Sequence, residues 1–360
     1  MNKTHHPHSA RQDSSLVTVT QLAEFDEVID VRTEAEFADD HIPGAVNCPV
    51  LDNAERARIG TLYKQVSAFD AKKIGAALVS RNIARHLETR FADRPRSWRP
   101  LVYCWRGGSR SGALAHVLQQ VGWRAGRLDG GYKAYRRAVI ADLDARPPQF
   151  KWRVICGLTG SGKSRLLRAL APRGPQVLDL EALASHRGSV LGNLPDAPQP
   201  PQKMFESLVW AELRKFDLAR PVWVEAESKK IGSVRVPEAL IAAMWNGECI
   251  RLEASIALRV AMLREEYQHF VSDPVLLGTQ LDCLAAHYGR DRIGAWKALA
   301  AAGAWDALVR ELLENHYDPA YTRSTLKHYP RYADGMRLDV AADSDAAFDQ
   351  LAARCLATAC

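Results

Sequence analysis

The sequence contains no C-x-x-C pair. Its seven cysteines (Cys48, Cys104, Cys156, Cys249, Cys283, Cys355 and Cys360) are odd in number and scattered through 360 residues. That pattern excludes a zinc ribbon or a disulfide framework and predicts reduced thiols. No apolar run approaches the roughly 20 residues of a membrane span. The first fifteen residues, with His5, His6 and His8, lack the apolar core of a signal peptide and are expected to be a polar disordered leader. No membrane partner and a cytoplasmic location are therefore expected. No internal repeat is present. Neither sign of charge dominates: 48 Lys and Arg against 42 Asp and Glu leave +6, which suits an anionic partner such as RNA without demanding one. At 47% hydrophobic and 25% charged residues, the chain is neither fibrous nor disordered, and it is long enough for two domains.

What is present begins with Leu101-Val102-Tyr103, a short apolar strand running into Cys104-Trp105-Arg106-Gly107-Gly108-Ser109-Arg110-Ser111. The period of Gly112 to Leu118 then predicts a helix. A cysteine at such a strand-to-helix turn faces a bowl of backbone N–H groups, where the helix dipole, Arg106 and Arg110 all favour an anion. Cys104 is thus the candidate nucleophile, with an acidic thiol, and Trp105, Arg106, Gly107, Gly108, Ser109 and Arg110 form the candidate anion loop. A merely structural turn would need neither the two glycines nor the two arginines.

Around this loop, strands alternate with helices, which implies a parallel α/β sheet. Short strands are expected at Leu16 to Val19, Glu27 to Arg32 and Arg127 to Asp129, with helices at Glu34 to Phe37, Asp52 to Leu87 and Tyr132 to Arg137. Asp30-Val31-Arg32, Glu36-Phe37, His41-Ile42-Pro43-Gly44-Ala45 and Gly130-Gly131-Tyr132, flanking a Cys-led Gly loop in this order, resemble a rhodanese domain over residues 15 to 145. The resemblance implies a persulfide or perselenide carried on Cys104. Many single-domain rhodaneses place the loop arginine five positions after the cysteine; here Arg110 lies six positions on. The resulting Cys-x5-Arg spacing is shared with cysteine phosphatases and leaves phosphate-ester hydrolysis open. Asp30 and Arg32 are expected to pin the strand end as an ion pair.

The Pro-rich, charged connection from Asp144 to Lys151 predicts a domain boundary. Beyond it, Trp152 to Cys156 forms a strand, Gly157-Leu158-Thr159-Gly160-Ser161-Gly162-Lys163-Ser164 a G-x-x-x-x-G-K-S loop, and Arg165 to Leu170 a helix. In that context the motif predicts a phosphate cradle made by Gly157, Thr159, Gly160, Ser161 and Gly162, with Lys163 reaching the terminal phosphates and the Ser164 hydroxyl placed for Mg²⁺. Strands at Pro175 to Glu181 and Pro221 to Glu225 end in acids. Glu225, with Glu227 and Asp179 behind it, is the candidate metal or supporting carboxylate, although this position is normally Asp. Gly192 to Gln202 is expected to be a surface loop or lid and Lys203 to Phe216 a helix.

From Glu253 to Tyr321 the apolar stripes predict helices, the helical portion (about 255 to 330) of a P-loop domain spanning 152 to 360. Arg187, Arg323, Lys327 and Arg331, beside aromatic residues, are candidate RNA contacts. The expected fold is thus α/β: an N-terminal rhodanese-like parallel-sheet domain plus a P-loop NTPase-like domain with a helical C-terminal part. That order of domains, together with Gly60-Thr61-Leu62-Tyr63-Lys64-Gln65, Asp179-Leu180-Glu181, His186-Arg187-Gly188-Ser189, Val224-Glu225-Ala226-Glu227-Ser228 and His316-Tyr317-Asp318-Pro319, closely resembles the bacterial tRNA 2-selenouridine synthases. The resemblance implies a selenotransferase that acts on 5-substituted 2-thiouridine at the tRNA wobble position. It would geranylate the sulfur with geranyl pyrophosphate, then replace it with selenium from selenophosphate. It further implies tRNA as partner, a selenophosphate synthetase as a second one, no tightly bound cofactor, and Mg²⁺ as an optional ion. Without the resemblance, the residues also admit a Cys-x5-Arg phosphatase fused to a nucleotide-dependent kinase, or a noncatalytic sulfur-carrier or RNA-binding protein.

Overall fold

The computed structural model describes residues 15–189 and 191–357. His5, His6, His8 and Cys360 lie outside them. The chain forms two compact units, Met1–Ile140 and Ala141–Cys360.

The first unit carries β1 (Leu16–Val17), β2 (Glu27–Asp30), α1 (Glu34–Asp39), β3 (Val46–Asn47), α2 (Asn53–Gln65), α3 (Ala68–Thr89), β4 (Pro100–Tyr103), α4 (Ser109–Val121) and β5 (Gly126–Leu128), and ends within α5 (Gly131–Ala145). Its strands form one parallel sheet in the order β1-β5-β4-β2-β3. Central β4 is buried along its whole length, as expected of a strand covered on both faces. Its neighbours pack into a core with Ile29, Val31, Phe91, Trp98, Leu114 and Leu118. Capping boxes start α1 at Thr33 with Glu36 and α2 at Asp52 with Glu55.

In the second unit β6 (Trp152–Cys156) leads to α6 (Lys163–Leu170). There follow β7 (Gln176–Leu178), α7 (Leu180–Leu183), α8 (Gln202–Lys215), β8 (Val222–Glu225), the hairpin β9 (Lys230–Ile231) and β10 (Val234–Arg235), α9 (Glu238–Trp245) and β11 (Glu248–Glu253). The main sheet is parallel, in the order β12-β11-β6-β8-β7, where β12 is Met336–Asp339. Two features depart from the sequence reading. The strand expected to reach Glu181 stops at Leu178, because Asp179 caps α7 by accepting a hydrogen bond from the Ala182 N–H at 2.8 Å. Strand β11, which pairs with β6, lies in a stretch for which sequence periodicity gave no assignment.

Between β11 and β12 the chain is helical: α10 (Ile256–Glu266), α11 (Gln268–Ser272), α12 (Pro274–Asp282), α13 (Ala285–Tyr288), α14 (Arg290–Ala301), α15 (Trp305–Leu312), a π-helical turn at Leu313–Tyr317, and α16 (Asp318–His328). These helices have their own core, including Phe270, Leu281, Trp296 and Leu308. The closing helix α17 (Asp345–Ala357) buries Phe348 and Leu351 with Leu166 and Leu170 of α6. Among the described residues no helix is long and apolar enough to cross a membrane.

Candidate active sites

Strand β4 delivers Cys104 to the turn, and α4 begins five residues later. The turn needs glycine at the neighbouring chain crossing: Gly131 has φ +57°, and a Cβ there would run into the Cys104 carbonyl and the Gly107 nitrogen. The Cys104 Sγ lies 3.2 Å from the Ser111 hydroxyl, which is also 3.2 Å from the Gly108 carbonyl. Burial, the largest influence on this thiol, opposes ionisation. The Ser111 hydroxyl and N–H, the Arg106 N–H and the Arg110 charge outweigh it, and hold the thiol below the ordinary cysteine value.

Arg110 is tied to Glu36 at 2.9 Å, and the same carboxylate oxygen accepts from the Thr33 N–H at 3.1 Å, so the cap of α1 anchors the loop arginine. Trp105 stacks on Tyr132 with ring centroids 5.2 Å apart, and Tyr132 donates to Asp40 at 2.8 Å. Arg32 lies 4.0 Å over the Tyr132 ring and pairs with Asp30 at 2.6 Å, both side chains fully buried. Asp30 and Arg32 therefore brace the frame around the loop. Trp105, Arg106, Gly108 and Ser109 are exposed, with Gly107 in the left-handed region between them.

In the second unit, Thr159, Gly160, Gly162, Lys163 and Ser164 line one cavity of about 360 Å³, with Glu181, Arg187, Glu225 and Glu227 on its other walls. Gly162 caps α6 with φ +89°. Ser161 is buried below the loop, and the Gly157 N–H donates to the Tyr321 hydroxyl at 3.1 Å. Lys163 donates to the Gly157 carbonyl at 3.0 Å and sits 5.1 Å from the centre of the Tyr321 ring. Arg259, almost fully buried, holds the loop from outside: its Nε donates to the Thr159 carbonyl at 2.8 Å while its two terminal nitrogens grip Asp318 at 2.9 and 2.5 Å.

Ser164 donates to Glu225 at 2.8 Å and also lies 3.2 Å from Glu181. Glu181, Glu225 and Glu227 each present an oxygen within 4.8 Å of the others. Burial and then the neighbouring carboxylates push Glu181 and Glu227 up to about 8, and push Glu225 well above the usual range. The other Glu225 oxygen is buried with no hydrogen-bond partner among the described residues. Hard oxygen donors packed this tightly beside a serine hydroxyl fit a divalent cation such as Mg²⁺. Asp179 is outside the trio, engaged in capping α7.

Sequence reasoning did not assign Glu181 to the candidate metal site, since the strand was expected to continue through it. Ser111, Arg259, Asp318 and Tyr321 were also unassigned. Ser111 carried a signal, immediately following the loop arginine, and Asp318 lies in the motif His316-Tyr317-Asp318-Pro319; Arg259 carried none, as it meets Asp318 and the loop only through the fold. Arg187 packs 5.0 Å from the centre of the Tyr267 ring and 3.5 Å from Glu266 at the phosphate cavity. Arg323 and Lys327, a turn apart on α16, and Arg331 beyond it are exposed.

A parallel sheet presenting an acidified cysteine to a Gly-rich anion loop is a rhodanese-type arrangement, and the second unit is a P-loop phosphate-binding arrangement. Residues 17–138 match the rhodanese-like domain, and residues 150–278 match the tRNA 2-selenouridine synthase AAA domain. The chain is 38% identical over 330 residues to the tRNA 2-selenouridine synthase of Cupriavidus necator, covering 82% of this chain and 87% of that protein. It is 38% identical over 247 residues to that of Nitrosomonas europaea and 36% over 246 to that of Marinobacter nauticus, in each case over 67% of this chain. These two matches span 63% and 65% of the relatives' own lengths, just under two thirds. The chain belongs to the tRNA 2-selenouridine synthase family.

Proposed function

We propose that this protein converts 2-thiouridine at the wobble position of tRNA into 2-selenouridine in two steps, each at its own site, in the cytoplasm. Geranyl diphosphate sits in the P-loop cavity. The thiouridine sulfur attacks its C1, the C–O bond breaks and diphosphate leaves, giving the S-geranyl base. Lys163 and the loop N–H groups bind the diphosphate and stabilise the charge that develops as it departs. A magnesium ion held by Ser164, Glu225 and Glu227, with Glu181 beside them, would neutralise phosphate charge.

In the second step selenide attacks C2 of the base and expels geranylthiolate, a better leaving group than the unalkylated sulfur. Selenophosphate, made by a selenophosphate synthetase, already carries selenium at the selenide level. A perselenide on Cys104, the role implied by the rhodanese resemblance, lies two electrons higher and would require an oxidant. Attack of the Cys104 thiolate on phosphorus balances without one: the S–P bond forms, the P–Se bond breaks, and selenide is released. Water then removes the phosphoryl group from sulfur as phosphate. The Cys-x5-Arg loop with Ser111 on the sulfur supports this chemistry.

The observation that carries the two-step reading is the presence, in one chain of this family, of an acidified thiol in an anion loop and a phosphate cavity ringed by Lys163, Ser164 and three carboxyls. The test incubates the full chain with 2-thiouridine-containing tRNA and follows nucleosides by mass spectrometry. Geranyl diphosphate alone should yield the S-geranyl nucleoside, and selenophosphate added afterwards should convert it to the selenonucleoside. Selenation with no geranylated species, and no need for geranyl diphosphate, would refute the order.

A further inference from the structure

The phosphate cavity continues into a second, apolar cavity in the helical part of the same unit. Thr159, Ser189, Leu263, Tyr267 and Tyr317 line both. Deeper in, its walls are apolar side chains of α11, α12, α15 and the π-helical turn, among them Phe270, Leu277, Trp305, Val309 and Leu312. We infer that this second cavity is the binding site for the hydrocarbon tail of the diphosphate substrate held by the P-loop. The inference rests on the reading that the substrate is an isoprenoid diphosphate; what it adds is the place of the tail and the residues that select it.

Three observations favour a hydrocarbon over a nucleobase. First, the polar groups at the mouth are already engaged: the Ser189 and Tyr267 hydroxyls lie 3.1 Å apart, so a base entering there would lose its own hydrogen bonds to water without replacement. Second, apart from Thr159, Ser189 and Arg264, the side chains that line it are aliphatic or aromatic, a surface that a branched hydrocarbon chain covers without losing hydrogen bonds. Third, Thr159 belongs to the phosphate loop itself and lines both cavities, so a chain leaving the terminal carbon–oxygen bond next to Lys163 has the apolar walls directly beside it. The loop's outside support comes from the same helical part, since Arg259 of α10 bonds the Thr159 carbonyl.

Binding of three probes to the full-length protein with Mg²⁺, measured by calorimetry, tests the assignment: inorganic pyrophosphate, dimethylallyl diphosphate and geranyl diphosphate. Each buried methylene contributes about 0.8 kcal/mol, so geranyl diphosphate should bind at least about 100-fold more tightly than pyrophosphate, with the five-carbon probe between. Val309→Phe and Val271→Phe narrow the cavity from two walls. Val309 is half-buried and Val271 is exposed, so neither change overfills the core. Each should weaken geranyl diphosphate at least about tenfold and leave pyrophosphate unchanged.

Equal affinity for all three probes in the wild type overturns the assignment, as does a preference for geranyl that both folded variants retain. For variants that fail to fold, a benzophenone-bearing isoprenoid diphosphate on the wild type decides: competable labelling of residues 263–277 or 305–317 supports the cavity, and labelling confined elsewhere refutes it. Failure of the proposed reaction has a different signature, in which geranyl diphosphate binds with this preference but no geranyl group reaches tRNA.

Discussion

A cysteine only 3% exposed is ordinarily harder to ionise than one in water, so the reactivity of Cys104 depends on what points at its sulfur. The Ser111 hydroxyl is the nearest side-chain group that does. Ser111→Ala should shift the pH midpoint of Cys104 alkylation upward and slow alkylation at neutral pH several-fold, followed by mass spectrometry of the labelled peptide. The carboxyl trio gives a second prediction with a definite sign. Glu181 and Glu227 hold protons up to about 8 in the folded chain, against 4.5 when unfolded. In metal-free protein their contribution to stability is therefore fully present below pH 4.5 and is lost as pH rises through 8. Melting temperatures of metal-free protein should fall between pH 6 and 9, and Mg²⁺ should restore them most at the alkaline end, because the cation binds the ionised carboxylates. A flat profile with no Mg²⁺ effect would remove the trio as a metal site.

At the scale of elements, the loops around Cys104 and Lys163 were legible because their chemistry is written in consecutive residues between an apolar strand and a helical period. Glu181 was harder: a three-residue strand followed by a four-residue helix leaves no period to read, and only the Asp179 cap separates them. Strand β11 escaped because Glu248-Cys249-Ile250-Arg251-Leu252-Glu253 puts charged residues in a strand that pairs on both sides. Helix α16 lies inside the helical portion expected at about 255 to 330, although its polar and aromatic content, with Thr325 its one buried residue, gives it little apolar stripe of its own. The glycine at the end of the first unit's sheet was visible only as part of a motif, and its reason is steric. Gly131→Ala forces a left-handed residue and a collision with the Cys104 turn, costing on the order of 1–3 kcal/mol from the backbone alone. It should lower the melting temperature and abolish selective Cys104 labelling, while pyrophosphate binding by the second unit persists. Normal labelling would mean that the crossing does not shape the loop.

For the molecule as a whole, the modest net charge of +6 means that the proposed tRNA substrate would be met by local clusters of Lys and Arg. Arg323 and Lys327, exposed a turn apart on α16, are one such cluster. The Arg323→Glu/Lys327→Glu double variant should weaken tRNA binding and flatten its salt dependence by about two counterions' worth of slope, leaving Cys104 alkylation and pyrophosphate affinity intact. Unchanged affinity in the folded variant would move the RNA surface, with Lys72, Lys73, Arg81 and Arg85 on α3 as the next candidates.

The division of labour between the two sites is tested most directly by giving single-site variants the intermediate. Cys104→Ser, Lys163→Ala and wild-type protein are each supplied with 2-thiouridine tRNA or with tRNA already S-geranylated, in the presence of both small substrates, and the nucleosides are quantified by mass spectrometry. Cys104→Ser should accumulate the S-geranyl nucleoside and form no selenonucleoside from either tRNA. Lys163→Ala should fail on the thiouridine tRNA yet selenate the S-geranylated tRNA at close to the wild-type rate. Loss of geranylation in folded Cys104→Ser, or failure of Lys163→Ala on the S-geranylated tRNA while its Cys104 still alkylates normally, would contradict the assignment of one step to each site.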